Sequence, residues 1–297
     1  MSWTFVPVNG PYGGTTEGPV WDGECLLFTH IPDSTILKFD PKTGISTTYL
    51  QGTNFANGLS FDTSGRLYAC EGGARRVVRY DGEEVVVLAD QFEGKKLNIP
   101  NDLAMDCEGN IWFTDPYYEG AAGDWSLNLD NKELTHDSVY RINLDGQTTN
   151  IERVTFDTTR PNGLLFSLDY KTLFVAQSGR LPEEKRELRA YPVNPDGSLA
   201  KYEILHDFGD HRGVDGMVLD CEGNIVACAG YNEGGPGPKI YVFSPSGEII
   251  ETHTTPFDRP TNCTFGGRDL TTLYVTTGQG YLLMAHTERK GRLNYPA

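Results

Sequence analysis

Short apolar runs alternate with polar turns along the whole chain, and no stretch carries the 3.6-residue periodicity of a long helix. Six segments share one pattern: "EGPVWDGECLLFTHIP" from Glu17, "NGLSFDTSGRLYACEG" from Asn57, "NDLAMDCEGNIWFTDP" from Asn101, "NGLLFSLDYKTLFVAQS" from Asn162, "DGMVLDCEGNIVACAG" from Asp215 and "NCTFGGRDLTTLYVTTG" from Asn262. Each opens on Glu, Asn or Asp, runs through a short apolar strand, and crosses a polar turn. A second strand rich in β-branched and aromatic residues follows. Third-strand candidates come next ("TILKFD", "RVVRYD", "SVYRIN", "LRAYPV", "KIYVFS", "YLLMAH"), and fourth strands lie between most units, such as "ISTTYL" and "EVVVLA". The last unit lacks a downstream strand, whereas "TFVPV" near the N-terminus has no unit of its own. Four antiparallel strands per unit, six units and one spare strand predict an all-β, six-bladed β-propeller. It spans 1–297 as a single domain, its ring closed by the N-terminal strand. A β-sandwich leaves the repeated opening residue unexplained. Only "RLPEEKRELRA" suggests a turn or two of helix.

The repeat accounts for "DCEGN", which occurs at 106–110 and again at 220–224 where "DTSGR" stands in the second unit. Asp and Gly there supply the hydrogen bonding and positive φ of a tight hairpin. Asp106, Glu108, Asp220 and Glu222 are therefore read as turn formers, and the spacing does not fit an EF-hand loop.

The opening residues are different. In a propeller the innermost strand of each blade begins at one mouth of the central channel. Glu17, Asn57, Asn101, Asn162, Asp215 and Asn262 are expected at equivalent places around that mouth, and all six carry side-chain oxygens. Unpartnered buried carboxylates are costly, whereas a ring of hard oxygen donors suits a hard divalent cation. The competing reading takes "NG", "DG" and "EG" as plain turn pairs, which serves each Asn or Asp singly but not Glu17. No His or Cys stands in the ring, which disfavours zinc as the native metal.

A net charge of −16, from 41 acidic and 25 basic residues, argues against nucleic-acid and anionic-membrane partners. No basic-then-apolar leader and no long apolar run are visible. The six cysteines form no C-x-x-C pair and read as free thiols in a reducing compartment. A cytoplasmic protein, a monomer or small homo-oligomer, is expected.

"EGPVW" at 17–21, "PNDLAMDCEGNIWFTDP" at 100–116, "RPNGLLFSLDYKTLFVAQS" at 160–178, "GVDGMVLDCEGNIVACAG" at 213–230 and "RPTNCTFGGRDLTTLYVTTG" at 259–278 resemble, in this order, one group of six-bladed propellers. These are the gluconolactonase, regucalcin (senescence marker protein) and luciferin-regenerating family. The resemblance implies one divalent cation, usually Ca2+, with Zn2+, Mg2+ and Mn2+ as alternatives. Its implied ligands are Glu17, Asn101, Asn162 and Asp215. It implies hydrolysis of a small sugar lactone, with Asp215 both ligand and general base. Asp102 resembles the family's neighbouring acid behind a ligand, and Asn57 and Asn262 become wall or supporting residues.

"FTDPYY" is similar to the bacterial gluconolactonase branch, and marks Asp115 and Tyr117 as candidate substrate-wall residues, against a plain strand-ending Asp-Pro turn. The long segment 117–137 is read as a lid over the channel, with a surface insertion as the alternative. In "CEGGARR" the acid, Glu71, joins the wall candidates. Gly72 stands where lactonase-like relatives often carry His, which leaves the exact substrate open. Three other readings are retained: a calcium-dependent phosphotriesterase resembling the diisopropylfluorophosphatases, a non-enzymatic calcium-binding regulator, and a metal-free binding platform.

Overall fold

The computed structural model describes residues 2–82, 84–144 and 149–295. It contains six four-stranded antiparallel sheets arranged as the blades of a propeller. The inner strands are Thr16–Trp21, Ala56–Phe61, Leu103–Met105, Pro161–Phe166, Val214–Leu219 and Pro260–Gly266, numbered blades 1 to 6. Blade 6 draws its outer strand, Val6–Asn9, from the other end of the chain, where Val6 pairs with Met284 and Pro7 with Leu283. Trp3 and Phe5 extend that closure into the core between blades 5 and 6. Trp3 stacks on His253 at 3.9 Å. The "RLPEEKRELRA" stretch forms no helix, and Glu187–Pro192 is instead the third strand of blade 4.

Hairpin chemistry follows the repeat. Asp106 accepts the N–H groups of Glu108 and Asn110 at 3.0 and 2.9 Å, and Asp220 those of Glu222 and Asn224 at 2.9 and 2.8 Å. Gly109 and Gly223 both take φ +85°, so the two "DCEGN" segments are one turn used twice.

Each inner strand is bulged near its start. In blade 4 the pairing steps from Pro161–Gln177 to Leu164–Val175, and in blade 5 from Val214–Ala229 to Met217–Ala227: three residues against two. Blades 1, 2 and 6 repeat the step, and blade 3 breaks its pairing there, with the Asn101 N–H on the Thr114 carbonyl before Leu103 meets Phe113. A bulge re-aims the side chains it contains. In blades 2 to 6 the bulges turn polar residues out of the sheets and towards the axis.

Just past the bulges, Val20, Leu59, Leu103, Leu164, Met217 and Cys263 line a cavity of about 180 Å3, to which Asp102 and Asn262 also contribute. Its far end is closed by the C-terminal segment. There the Arg292 N–H bonds the Leu219 carbonyl at 3.2 Å, and Tyr295 packs on Phe61 with ring centroids 5.5 Å apart.

Candidate active site

Glycines follow four of the ring residues, and contact explains them. A Cβ on Gly18 would sit 2.2 Å from the Asn57 carbonyl oxygen, and on Gly58 2.8 Å from that of Asn101. On Gly163 it would sit 2.3 Å from the Asp215 carbonyl oxygen, and on Gly216 2.0 Å from the Asn262 amide carbon. Each glycine lets one blade press its backbone against the next blade's ring residue. The "NG" and "DG" pairs are thus blade-to-blade contacts within strands, not turns.

The register of the six openings differs from the expectation. Asn57, Asn101, Asn162 and Asp215 occupy the first bulged position. Glu17 comes one residue earlier, itself paired with Thr29, because the blade 1 bulge takes Gly18 and Pro19. Asn262 comes one residue later, level with Asp102, because Thr261 fills the first position in blade 6. Equivalence therefore holds for four of the six.

The site is nevertheless contiguous. Asn262 donates to Asp102 at 3.3 Å and supports the Glu17 carboxyl. Glu17, Asp102 and Asn262 each accept the N–H of the following residue, at 2.7, 2.9 and 2.8 Å, which aims the second oxygen of each carboxylate away from its own strand. Asn162 supports Asp215 and donates at 3.1 Å to the hydroxyl of Tyr118. Glu17, Asn101, Asn162 and Asn262 are buried, and Asp215 and Asp102 nearly so. Asn57 is half-buried on the channel wall.

Charge in this cluster is unbalanced. Burial, then the carboxylates of Asp215 and Asp102, push the Glu17 carboxyl well above its ordinary range. Burial and Asp215 also push Asp102 up to about 7, against its bonds from Leu103 and Asn262. Burial raises Asp215 as well, opposed by the guanidinium groups of Arg212 and Arg180. Both arginines stand on the Asp215 side. Arg212 forms an ion pair with Asp215 and is fixed by the carbonyls of Gly230 and Pro260 at 2.9 and 3.1 Å. Three neighbouring carboxyls flanked by carboxamides, with guanidinium groups on the Asp215 side alone, fit a hard divalent ion. Among the described residues no cluster of three His, Cys, Asp or Glu is drawn together tightly enough to define such a site from those residue types alone. The fit rests on the mixed set of carboxylates and amides.

Three wall candidates lie elsewhere. Asp115 is fully buried and holds the backbone N–H of Asn98 at 2.8 Å, at the root of segment 117–137. Glu71 is buried under Arg76, Tyr80 and Asn54, at 2.6, 2.7 and 3.1 Å, and pins the end of its own blade. Tyr117 turns into segment 117–137, its hydroxyl on the carbonyls of Ser126 and Asn128 at 3.1 and 2.9 Å. Tyr118, its neighbour, is the one that reaches the site. Alternation of side chains along an extended segment separates the two. A Cβ at Gly72 would lie 2.9 Å from a methyl of Ile99, so Ile99 and Ala122 fill the space a larger residue would need.

Segment 117–137 is knitted down. Two short 3-10 turns, Asp124–Leu127 and Leu129–Asn131, carry it across the mouth, with Gly123 against Phe55 of blade 2 and Tyr118 against blade 4. Lys132 pairs with Asp137 at 2.6 Å and Arg75 with Glu133 at 3.2 Å. It forms a cover over one side of the channel.

Comparison with known proteins agrees with this architecture. The model of the SMP-30/gluconolactonase/LRE-like region matches residues 15–279. A gluconolactonase of Zymomonas mobilis is 31% identical over 281 residues, covering 86% of this chain and 74% of that protein. A pentonolactonase of Haloferax volcanii is 26% identical, covering 89% of this chain and 81% of its own. The solved structure of a Xanthomonas campestris gluconolactonase superposes with a TM-score of 0.81 at 29% identity, covering 96% of this chain and 89% of that one. The chain belongs to the SMP-30/gluconolactonase/LRE-like family.

Proposed function

We propose that the protein is a metal-dependent lactonase that opens sugar lactones, with Asp215 as the base that activates water. The observation that carries this reading is the buried set of carboxylates and carboxamides, Glu17, Asn101, Asn162 and Asp215 with Asp102 and Asn262 beside them, at the bulged mouth of a chain similar to gluconolactonases and a pentonolactonase. Glu17, Asn101, Asn162 and Asp215 would hold the ion; their hard oxygens suit calcium, magnesium or manganese better than zinc, and calcium is the ion that the family resemblance implies. Bound there, a divalent cation supplies an electrophile for the lactone carbonyl and countercharge for the oxyanion.

The chain's own groups supply the rest. Arg212, anchored on two backbone carbonyls, fixes the orientation of the Asp215 carboxylate. Asp215 accepts a proton from water as its oxygen bonds to the carbonyl carbon; the ring C–O bond then breaks, and its oxygen takes up a proton to leave an acid and an alcohol. Tyr118 and Asn162 form the neighbouring wall, and segment 117–137 limits access of bulk water. Six unpaired thiols fit a reducing, cytoplasmic setting. No helix among the described residues is long and apolar enough to cross a membrane.

The test is a panel of sugar lactones and a phosphotriester, run on chelated protein restored with calcium, zinc, magnesium or manganese. Lactone opening dependent on added metal is expected. At saturating metal, Asp215→Asn is expected to lower kcat by about 10²- to 10⁴-fold, the usual contribution of a general base. Unchanged turnover in that variant removes Asp215 from the role. Turnover of the phosphotriester alone favours phosphoryl transfer, and metal binding without turnover of either favours a regulator.

A further inference from the structure

Three guanidinium groups face the same side of the mouth, and two are already engaged. Arg212 is bonded to Asp215, and Arg160 is paired with Glu184 through its Nε at 3.0 Å and a terminal nitrogen at 2.5 Å. Arg180 is exposed, and among the described residues its guanidinium has neither an ion-pair nor a hydrogen-bond partner. Its position is nevertheless built. Glu184 accepts the backbone N–H groups of Arg180 and Leu181 at 2.6 and 3.0 Å, and the Gly179 N–H bonds the Lys185 carbonyl at 3.0 Å. The guanidinium stacks on the Tyr118 ring at 4.5 Å, and Arg160 stacks on the same ring at 5.1 Å. A single tyrosine ring thus separates Arg180 from Asn162, whose amide donates to the Tyr118 hydroxyl.

A planar donor fork left free in a chain of net charge −16, and laid on a tyrosine ring at a site mouth, matches the geometry of a carboxylate. We propose that Arg180 binds a carboxylate on the substrate, so that the preferred lactones are those of sugar diacids, with a second acid group at the end of the carbon chain remote from the lactone carbonyl. This rests on the lactonase reading. With the reacting carbonyl among Glu17, Asn162 and Asp215, the far end of a six-carbon acid extends over Tyr118 towards Arg180. The acidic floor repels such a substrate in the reverse orientation, so the guanidinium also sets which end enters.

The matched probes are D-glucaro-1,4-lactone and D-glucono-1,4-lactone, which share a ring and differ in a terminal carboxylate against a hydroxymethyl group. Wild-type protein is expected to show the higher kcat/KM on the glucaro-lactone. Arg180→Gln is expected to lower kcat/KM for that substrate by about 10- to 100-fold, through KM, the usual effect of deleting a charge-assisted bond. The glucono-lactone is expected to fall by a much smaller factor, since only the influence of Arg180 on Asp215 is lost there, and Arg180→Lys to restore part of the loss on the glucaro-lactone. Rising salt is expected to narrow the gap in wild type only. Equal loss on both lactones makes Arg180 a partner of Asp215 and overturns the proposal, as does a wild-type preference for the glucono-lactone. Calorimetric binding of glucarate and gluconate, which needs no turnover, gives an independent reading. If neither lactone is opened, the lactonase reading falls, while Arg180-dependent selection of glucarate still upholds the carboxylate site. Equal binding of both acids then removes it.

Discussion

Gly163→Ala places one methyl group between blades 4 and 5. The added Cβ would lie 2.3 Å from the Asp215 carbonyl oxygen and 3.0 Å from the Gly216 Cα, so the two blades must separate by close to an ångström to restore ordinary contact. Gly163 does not have a left-handed φ. On an open strand the same substitution would therefore stabilise the protein, by about 0.4–1 kcal/mol, because it restricts the unfolded chain. Overpacking works the other way, at about 1–3 kcal/mol. With an unfolding entropy of about 2.1 cal/mol/K per residue, the 297-residue chain converts a net loss of about 2 kcal/mol into a fall of roughly 3 °C in Tm. Calorimetry resolves that shift, and its sign is the test. Because the displaced oxygen belongs to the backbone of Asp215, calcium titration of the variant should also show weaker binding than wild type. A Tm at or above the wild-type value, with calcium affinity unchanged, would falsify the close-contact account of the ring glycines.

Other consequences can be checked singly. Tyr118→Phe removes the hydroxyl that Asn162 bonds, and kcat/KM on a lactone substrate is expected to fall about fivefold, the equivalent of one neutral hydrogen bond; Tyr117→Phe is expected to leave kcat/KM unchanged. Trp3→Ala takes a buried indole from the ring closure and is expected to cost about 3–5 kcal/mol, read by denaturant unfolding. Asp62 is buried, which works to raise its pKa. Its bonds from the Arg66 backbone N–H and guanidinium and from the Ser64 N–H prevail and hold it below the ordinary value. The stability it contributes is thus present above pH ~3.8 and lost as pH falls through the lower folded value. Asp62→Ala is accordingly expected to destabilise at pH 7 by about 1–3 kcal/mol, with the difference shrinking towards pH 3 in urea titrations.

The fold was legible because a repeat multiplies a weak signal: one alternating strand is ambiguous, but six in register with the same hairpin turn are not. The spare strand "TFVPV" was legible for the same reason, since the last unit lacked its mate. The site was half legible. Glu17 and the Asn and Asp residues were marked by recurring at strand starts, but the one-residue offsets of Glu17 and Asn262 follow from which residues each bulge takes up. "NG" reads as a hairpin turn in isolation. Only the neighbouring blade's backbone reveals that Gly58 and Gly163 serve a contact. Asp115 and Glu71 were read from sequence as wall candidates, yet their side chains bond into networks of their own, at the root of segment 117–137 and at the end of blade 2. Tyr118, Arg180 and Arg212 went unmarked because they sit in the irregular connections, where no period says which side chain faces the axis. Their pairing with Asn162 and Asp215 crosses between blades or along a loop.

Blade 6 is a joint between the two ends of the polypeptide, with Val6–Asn9 hydrogen-bonded to Leu282–His286. During synthesis from the N-terminus, the first strand emerges long before its partner exists and must wait for nearly the entire chain to be made. Blades 1 to 5 can form their hairpins in order as they leave the ribosome, but the ring, and with it the alignment of Glu17 against Asp215 and Asn262, is completed only at the end. A truncated product lacking its last thirty or so residues would keep Asn101, Asn162 and Asp215 on neighbouring blades but lose the alignment of Glu17 against Asp215 and Asn262. Chemistry that needs Glu17 beside Asp215 and Asn262 is thereby restricted to chains in which blade 6 has closed.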